Sequence, residues 1–454
     1  MSRIRLALLL CLAALVARAA GPKYIFLFIG DGMSTPQRMI AEEFARKTGH
    51  GELAINHMPY HATTRTASAT SLVTDSAAAA TAIACGVKTY NGAIGVDAEG
   101  NRVTSVAEVA KACGRKVGII TSVTINHATP AGFYAHRAQR GQLYGIGLDL
   151  VASNFDFFAG GGLSGHDDKK DDPDYQGPIP ELAAKAGYTV VTDKAGFEAL
   201  KPVEGGKYWG LFGSGALGYV INGPNDYPTL AELVSKGIAL LQDAPEGFFI
   251  MAEGGAIDWV GHSNDAAPNL RELLALDKAV QVALDFAKAH PDETLVVVTG
   301  DHETGGMSMG FAGTGYALYA ERLANQKCDA GTFQNLVNAA QKEKPDMTFE
   351  EVMPLLRDKF GFVFPGDEAA VADPKHPMLL KDAQVAELKE GFEQKKIGTR
   401  ARKVMNDLAG VGWTSGSHTA LPVLTTAAGK DAEVFHGLIE NCDISLKLKA
   451  LMQP

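Results

Sequence analysis

The chain has 454 residues, of which 46% are hydrophobic and 21% are charged, and its formal net charge is −10. These values are ordinary for a globular protein with a large core, and they exclude an intrinsically disordered chain. The excess of acidic residues argues against nucleic-acid binding through a basic face.

The N-terminus has the three parts of a secretory signal. Arg3 and Arg5 form a basic region, residues 6–16 are apolar, and Ala17-Arg18-Ala19 matches a signal cleavage site. We expect residues 1–19 to be a signal peptide and the mature chain, 20–454, to be periplasmic or secreted. The apolar stretch is too short for a membrane anchor and no comparable stretch follows, so the sequence predicts no membrane span.

Four continuous apolar stretches, at 24–29, 117–121, 248–251 and 295–298, are typical of strands covered on both faces. They alternate with helical patterns, which predicts an α/β fold with a mostly parallel central sheet flanked by helices on both faces. Ligands bind outside the carboxyl ends of the strands in such sheets. The polar residues that follow the four stretches are Asp31, then His127 and Thr129, then Glu253, and finally Asp301 and His302.

Asp75 and Ser76 open an alanine-rich run between the first two stretches. Alanine is the strongest helix former, so a helix is predicted over 77–84 with Ser76 at its N-terminus. Unpaired N–H groups and the helix dipole favour an anion such as phosphate at that end. Asp and Ser are also the commonest N-cap residues, so this stretch taken alone is more typical of a helix cap than of a catalytic site.

Later segments complete the fold prediction. A long helix is expected over 268–289, and residues from about 315 to 410 have a mainly helical pattern that includes a capping box at Thr348 and Glu351. We expect one catalytic domain with this helical insertion near the C-terminus, which would serve as a lid, crown or subunit contact. A strand is expected to return at Trp413.

The mature chain keeps four cysteines, for which an oxidising compartment would permit disulfides. Sequence alone cannot choose among the three possible full pairings. Cys85 lies in the predicted alanine-rich helix, where a buried free thiol is as reasonable as a bridge. The four residues are Cys85, Cys113, Cys328 and Cys442.

Carboxylates and imidazoles recur at spacings that suit divalent metals. Asp258 and His262 are four residues apart, so a helical turn would place both on one face, and Asp301 adjoins His302. Zinc accepts imidazole and carboxylate ligands, whereas magnesium prefers oxygen alone. Each pair taken alone is more typical of a structural role than of a metal site.

Seven short motifs extend this pattern over the chain. They are Gly30-Asp31-Gly32-Met33; Val73-Thr74-Asp75-Ser76-Ala77-Ala78; His127-Ala128-Thr129-Pro130-Ala131; Ala135-His136 with Arg140; Glu253-Gly254-Gly255 through Asp258 and His262; Gly300-Asp301-His302-Glu303-Thr304-Gly305-Gly306; and Gly416-Ser417-His418-Thr419. Together, in this order, they resemble the motifs of the alkaline phosphatases. The resemblance spans nearly the whole mature chain.

The resemblance implies a phosphate monoesterase that is a homodimer and holds two zinc ions and one magnesium ion. Its ligands carry over residue by residue. The matching positions are Asp258, His262 and His418 for the first zinc; Asp31, Asp301 and His302 for the second; and Asp31, Thr129 and Glu253 for magnesium.

The resemblance also implies catalytic roles. Ser76 matches the nucleophile that forms a covalent phosphoserine, and Arg140 matches the guanidinium that grips two phosphate oxygens. Asp75 matches the residue that orients this arginine.

Two positions depart from the best-known enterobacterial pattern and resemble marine bacterial members instead. His127 stands where that pattern has an aspartate near magnesium, and Trp259 where it has a lysine near phosphate. Both are expected to lie at the substrate. Because imidazole also suits zinc, magnesium as the third metal is less secure; we expect His127 to act through a water or phosphate contact.

Four alternatives share parts of this pattern: sulfatases, phosphodiesterases and phosphate mutases of the same metal superfamily, and a non-catalytic phosphate-binding protein. A sulfatase would carry a C/S-x-P-x-R context at its nucleophile, but Ser76 is followed by three alanines. A phosphodiesterase of the same metal superfamily would gain less from Arg140, since a diester has fewer free oxygens to grip. A non-catalytic periplasmic phosphate-binding protein would need the helix N-terminus without the metal ligands.

Overall fold

The computed structural model describes residues 21–165 and 174–453 of the chain. The predicted signal peptide at 1–19 lies outside these residues. Within the described ranges, no helix is long and apolar enough to cross a membrane.

A ten-stranded sheet forms the centre of the fold. Its strands are β1 (Tyr24–Gly30), β2 (Tyr60–Arg65), β3 (Lys116–Thr124), β4 (Phe157–Gly161), β5 (Tyr188–Val191), β6 (Lys207–Phe212), β7 (Phe248–Gly254), β8 (Thr294–Gly300), β13 (Val423–Gly429) and β14 (Gly437–Glu440). Their order across the sheet is β14-β2-β13-β8-β1-β7-β3-β4-β6-β5. The seven strands from β8 to β5 in this order run parallel, while β13 is antiparallel to both of its neighbours. This confirms the mostly parallel sheet.

Two small antiparallel sheets lie outside the central one. They are formed by β9 (Glu303–Thr304) with β12 (His418–Thr419), and by β10 (Ser308–Met309) with β11 (Val411–Gly412). The strand expected at Trp413 is therefore wrong in detail: the chain pairs briefly at 411–412 and returns to the central sheet only at β13. The pairing of residues 411–412 depends on residues 308–309, far away in the chain. Such a short pairing has no periodic pattern in the sequence.

Helices cover both faces of the sheet, as predicted. The alternation along β1 shows why: Phe26 and Phe28 join one core, while Ile25, Leu27 and Ile29 join the other. The helices are α1 (Thr35–Lys47), α2 (Ser76–Cys85), α3 (Val106–Ala112), α4 (Ala128–Ala131), α5 (Leu143–Ser153), α6 (Ile179–Lys185), α7 (Lys194–Ala199), α8 (Leu230–Leu241), α9 (Ala256–His262), α10 (Ala266–Ala289), α11 (Ala330–Glu343), α12 (Phe349–Phe360), α13 (Glu368–Ala372), α14 (Asp382–Glu393), α15 (Ile397–Ala409) and α16 (Asn441–Met452).

The region expected to be helical, about 315–410, holds α11 to α15. It packs on the same core as α1, α8 and α10, through buried side chains such as Phe333, Leu356 and Val404. The predicted capping box is present, because the Thr348 N–H donates to a Glu351 carboxylate oxygen at 3.0 Å. All four described cysteines are free thiols.

Candidate active site

The parallel register of the sheet brings the predicted site residues to one edge. Gly30 at the end of β1 pairs with Gly254 of β7 on one side and with Gly300 of β8 on the other. Asp31 and Asp301 each follow one of these glycines, so their carboxylates leave adjacent strands at the same level. Glu253 stands one residue before the end of β7.

Ser76 is the first residue of α2 and is only 2% exposed. The preceding Asp75 is the N-cap: its Oδ1 accepts hydrogen bonds from the Ala78 and Gly92 N–H groups, both at 3.0 Å. The Ser76 Oγ lies 3.2 Å from the Nε2 of His302. The hydroxyl is thereby held between a helix N-terminus and the end of β8.

Arg140 is anchored beside this hydroxyl from two directions. Its Nη1 donates to Asp75 Oδ2 at 3.1 Å, and its Nη2 donates to His127 Nε2 at 3.1 Å. Its main-chain N–H also donates to the Gly92 carbonyl at 2.7 Å. Asp75 thus makes both contacts considered from the sequence, since one carboxylate oxygen caps α2 and the other holds the guanidinium.

The first group of candidate metal ligands, which we name the buried cluster, consists of Asp31, Asp301 and His302, all fully buried. The His302 Nε2 lies 3.4 Å from Asp31 Oδ1 and 3.3 Å from Asp301 Oδ2. Those two carboxylate oxygens have no hydrogen-bond partner in the described part of the chain. Buried oxygens without donors are costly, so this donor set fits a bound cation.

Electrostatics support that interpretation of the buried cluster. Burial, together with the neighbouring Asp301 and Asp258, raises the pKa of Asp31 well above its usual range. Burial raises the pKa of Asp301 to about 7, although the Gly32 N–H opposes the shift. Burial also lowers the pKa of His302, which keeps the imidazole neutral, the form that binds metals.

The second group, the open cluster, consists of Asp258 and His262 from α9 and His418 from β12. The Asp258 oxygens lie 3.4 Å from His262 Nε2 and 3.5 Å from His418 Nε2. The His262 Nδ1 contacts the Gly416 carbonyl at 2.8 Å, and the His418 Nδ1 contacts the Thr74 carbonyl at 2.9 Å. Because carbonyls only accept, each Nδ1 carries a proton, so Nε2 is the nitrogen of each ring that can bind a metal in place of a proton.

In the open cluster, unlike the buried one, the carboxylate is paired with histidine side chains. Burial opposes ionisation of Asp258, but hydrogen bonds from His262 and His418 outweigh it and hold the Asp258 pKa well below its usual range. The hydrogen bond to Asp258 raises the pKa of His262 to about 9. The side chain of His262 is 41% exposed, so this cluster opens to solvent.

The third group surrounds His127. Its Nδ1 is 3.8 Å from both Asp31 Oδ2 and Glu253 Oε1, and neither Nδ1 nor Glu253 Oε1 has a hydrogen-bond partner among the described residues. The Thr129 Oγ1 donates to Asp31 Oδ2 at 3.3 Å. The Trp259 ring meets His127 edge-on, with ring centroids 6.1 Å apart. The oxygen donors around Asp31 and Glu253 fit a hard cation such as magnesium.

The sequence did not indicate two threonines whose hydroxyl groups hold candidate metal ligands. The Thr304 hydroxyl donates to Asp258 Oδ1 and lies 3.4 Å from His302 Nδ1, so it connects the open and buried clusters. The Thr121 hydroxyl donates to Glu253 Oε2. Thr304 lies inside one of the seven motifs and could have been noticed, whereas Thr121 follows an ordinary strand pattern and gives no signal.

Comparisons with known proteins identify the family to which the chain is similar. The sequence profile of the family described as alkaline phosphatase matches residues 22–453. The chain is 32% identical to alkaline phosphatase 3 of Bacillus subtilis over 95% of this chain and 89% of that protein. It is 31% identical to the repressible alkaline phosphatase of Saccharomyces cerevisiae over 88% of this chain and 75% of that protein.

The solved structures to which the chain is similar are also alkaline phosphatases. The cold-active alkaline phosphatase of a psychrophilic Shewanella species aligns with a TM-score of 0.81 at 27% identity, over 95% of this chain and all of that one. A His-to-Asp mutant of the TAB5 alkaline phosphatase, solved with Mg bound in its M3 site, aligns with a TM-score of 0.67 at 27% identity over 96% of this chain and 99% of that one.

Proposed function

The chain belongs to the alkaline phosphatase family and is an enzyme that hydrolyses phosphate monoesters, and from that premise we propose that it works through a covalent phosphoserine on Ser76. The observation that carries the proposal is the position of the Ser76 hydroxyl. It lies 3.2 Å from His302 of the buried cluster and at a helix N-terminus beside the Asp75–Arg140 pair. The proposed nucleophile Ser76, the proposed phosphate-binding group Arg140 and the candidate cation ligands of the buried cluster therefore lie next to one another.

The proposed metal content is two zinc ions and one magnesium ion. The open and buried clusters would each hold a zinc ion, and Asp31, Thr129 and Glu253 would hold magnesium. The unpartnered buried oxygens of Asp31, Asp301 and Glu253 support this assignment. Bound divalent cations would stabilise the alkoxide form of a serine and the negative charge of the leaving oxygen.

The side chains supply the rest of the mechanism. Arg140 retains N–H donors beyond those that bond Asp75 and His127, and its planar guanidinium can hold two phosphate oxygens in line with Ser76. The Ser76 oxygen then attacks phosphorus, the P–O bond to the alcohol breaks, and the phosphoryl group is transferred to Ser76. Water hydrolyses the phosphoserine in a second displacement and returns the hydroxyl. Main-chain N–H groups at the start of α2 stabilise the transferred anion.

For His127 we propose an indirect role at the third metal. A guanidinium only donates hydrogen bonds, so His127 Nε2 must accept from Arg140, and the proton of the neutral ring is then on Nδ1. A protonated Nδ1 cannot ligate a cation but can donate to a water molecule bound by Asp31 and Glu253. This supports contact through water. A metal analysis that finds three zinc ions and no magnesium at full activity would count against it.

The test of the catalytic proposal compares wild type with Ser76→Ala on p-nitrophenyl phosphate and on its bis-ester across pH, with and without a chelator. We expect the wild type to prefer the monoester and to lose activity with the chelator, and Ser76→Ala to be inactive over the whole pH range. Preference for the diester would favour the phosphodiesterase alternative. Phosphate binding without turnover would favour a binding protein.

Two further proposals concern assembly and location. We propose that the enzyme is a homodimer, which light scattering of the purified protein would test. We also propose that residues 1–19 are cleaved and the mature protein is periplasmic or secreted. N-terminal sequencing of the protein recovered from cell fractions tests both parts of that proposal.

A further inference from the structure

A cavity of about 420 Å³, lined by none of the candidate metal ligands, lies between α10 and the loop that leads into α8. Its size falls within the range of about 300–1,000 Å³ that is usual for small-molecule sites. Much of its wall is apolar and comes from one loop. The apolar side chains of this loop include Leu217, Val220, Pro224, Tyr227 and Pro228.

One carboxyl group faces this cavity. Glu272 of α10 is 5% exposed, and its Oε1 accepts a single hydrogen bond, from the Val220 N–H at 2.7 Å. Across the described residues, its other oxygen has no donor and the carboxyl has no ion-pair partner. Asp156 is a useful contrast, since this similarly buried carboxylate is held by both Lys111 and Lys116 at 2.7 Å. Burial raises the pKa of Glu272 to about 7, against the opposing effect of the Val220 N–H.

The charged groups around Glu272 do not replace a partner. Lys194 and Glu232 line the cavity from α7 and α8 but pair with each other at 2.8 Å. Lys278 also lines the cavity, six residues after Glu272 on α10, and is exposed to water. Burial and neighbouring acids, Glu272 among them, raise the pKa of Tyr219 to about 12, so this phenol is neutral. A cation entering the cavity would find one available buried carboxylate.

We propose that this cavity binds a small organic monocation, whose apolar body fills the loop side and whose protonated amine pairs with Glu272. An apolar pocket with a single charged anchor fits this ligand class, because the amine replaces its lost hydration with a charge-assisted hydrogen bond. The cavity also borders the catalytic edge of the sheet. Gly254, next to Glu253, lines it, as does Ser122, whose Oγ accepts from the Gly255 N–H at 3.0 Å just before α9.

Calorimetric titration of the metal-loaded enzyme with benzylamine tests the proposal, with benzyl alcohol as the neutral probe of the same shape. Wild type should bind benzylamine saturably and at least about tenfold more tightly than benzyl alcohol, as expected for a hydrogen bond to a charged group. Glu272→Gln should lose this preference while keeping an oxygen for the Val220 N–H. Glu232→Gln, a change on the same wall that preserves the capping box of α8, should bind like wild type.

Proton release gives a second measurement. Benzylamine should drive ionisation of Glu272, so binding near pH 7 should release a fraction of a proton, detected as heat that varies with the ionisation enthalpy of the buffer. Glu272→Gln should release none. Equal affinity for amine and alcohol, unchanged binding by Glu272→Gln, or no saturable heat up to about 10 mM would overturn the proposal. None of these results bears on catalysis at Ser76.

Discussion

The buried and open clusters use the same residue types, carboxylate and imidazole, but balance their charge differently. In the buried cluster two carboxylate oxygens have no partner in the described structure, and the pKa values of Asp31 and Asp301 are raised. In the open cluster Asp258 is satisfied by two histidines and its pKa is lowered. A bound cation would offset the negative charge of the buried cluster, whereas His262 already offsets the charge of Asp258 in the open cluster.

The difference in charge balance and exposure between the clusters fits the two sides of the proposed reaction, attack by Ser76 and departure of the alcohol. Ser76, the proposed nucleophile, contacts the buried cluster, where a bound cation would stabilise its alkoxide form. The open cluster reaches solvent through His262, so in the proposed reaction the alcohol would leave and water would enter on that side. Loss of a ligand should therefore have unequal effects in the two clusters.

The largest effect is expected on activity. His302→Ala should lower kcat/KM by about 10³-fold, comparable with the loss of a key electrostatic group, because it removes the candidate ligand beside Ser76 and would weaken binding of the cation that offsets the two buried carboxylates. His262→Ala should cost only about 10–100-fold, since water can occupy the exposed position. Steady-state kinetics on p-nitrophenyl phosphate, with the exposed His61→Ala as control, measures both. Equal losses would break the distinction between the clusters.

The next effect concerns the order in which metal leaves. Zinc release into a coloured chelator should show a fast phase from the open cluster and a slow phase from the buried one. His262→Ala should remove the fast phase and keep the slow one. A single phase in wild type, or loss of the slow phase in His262→Ala, would contradict this assignment.

In the metal-free protein, loss of the candidate ligand Asp301 should raise the free energy of unfolding rather than lower it. The folded-state pKa of Asp301 is about 7, above its ordinary value of 3.8, so the folded protein binds this proton more tightly than the unfolded chain. Stability of the metal-free form should therefore fall as pH rises between these two values. Asp301→Asn removes this charge and should raise the metal-free stability at pH 8 by up to about 4 kcal/mol.

Calorimetric melting with and without chelator checks this reversal. Metal-free Asp301→Asn should melt above metal-free wild type at pH 8, while the metal-loaded variant should melt below loaded wild type. If the variant melts lower in both states, the buried carboxylates are balanced by something other than a cation.

The smallest effect is expected at Trp259, next to Asp258 on α9. Trp259→Lys would add a positive charge near phosphate and should lower the inhibition constant for inorganic phosphate by about fivefold, or about 1 kcal/mol for a partly exposed ion pair. Trp259→Phe is the matched control and should change it little. No change with lysine would remove Trp259 from the substrate site.

The strands and the main helices could be predicted because their signals are local. Continuous apolar runs gave β1, β3, β7 and β8, and alanine content gave α2 within one residue at each end. The ligand residues were named from motifs, but their grouping depends on strand register: Asp31 and Asp301 meet only because Gly30 pairs with Gly300. The Thr121 contact, the free state of the cysteines and the return at β13 arise from tertiary packing, which leaves no periodic signal.

The most direct test of the central claim is to trap the phosphoenzyme. Metal-loaded wild type, mixed with p-nitrophenyl phosphate and quenched in acid, should yield one phosphorylated peptide by mass spectrometry, with the phosphoryl group on Ser76. Ser76→Ala should give none. Turnover without any phosphopeptide, or phosphate on another residue in wild type, would contradict the assignment of Ser76 as the nucleophile.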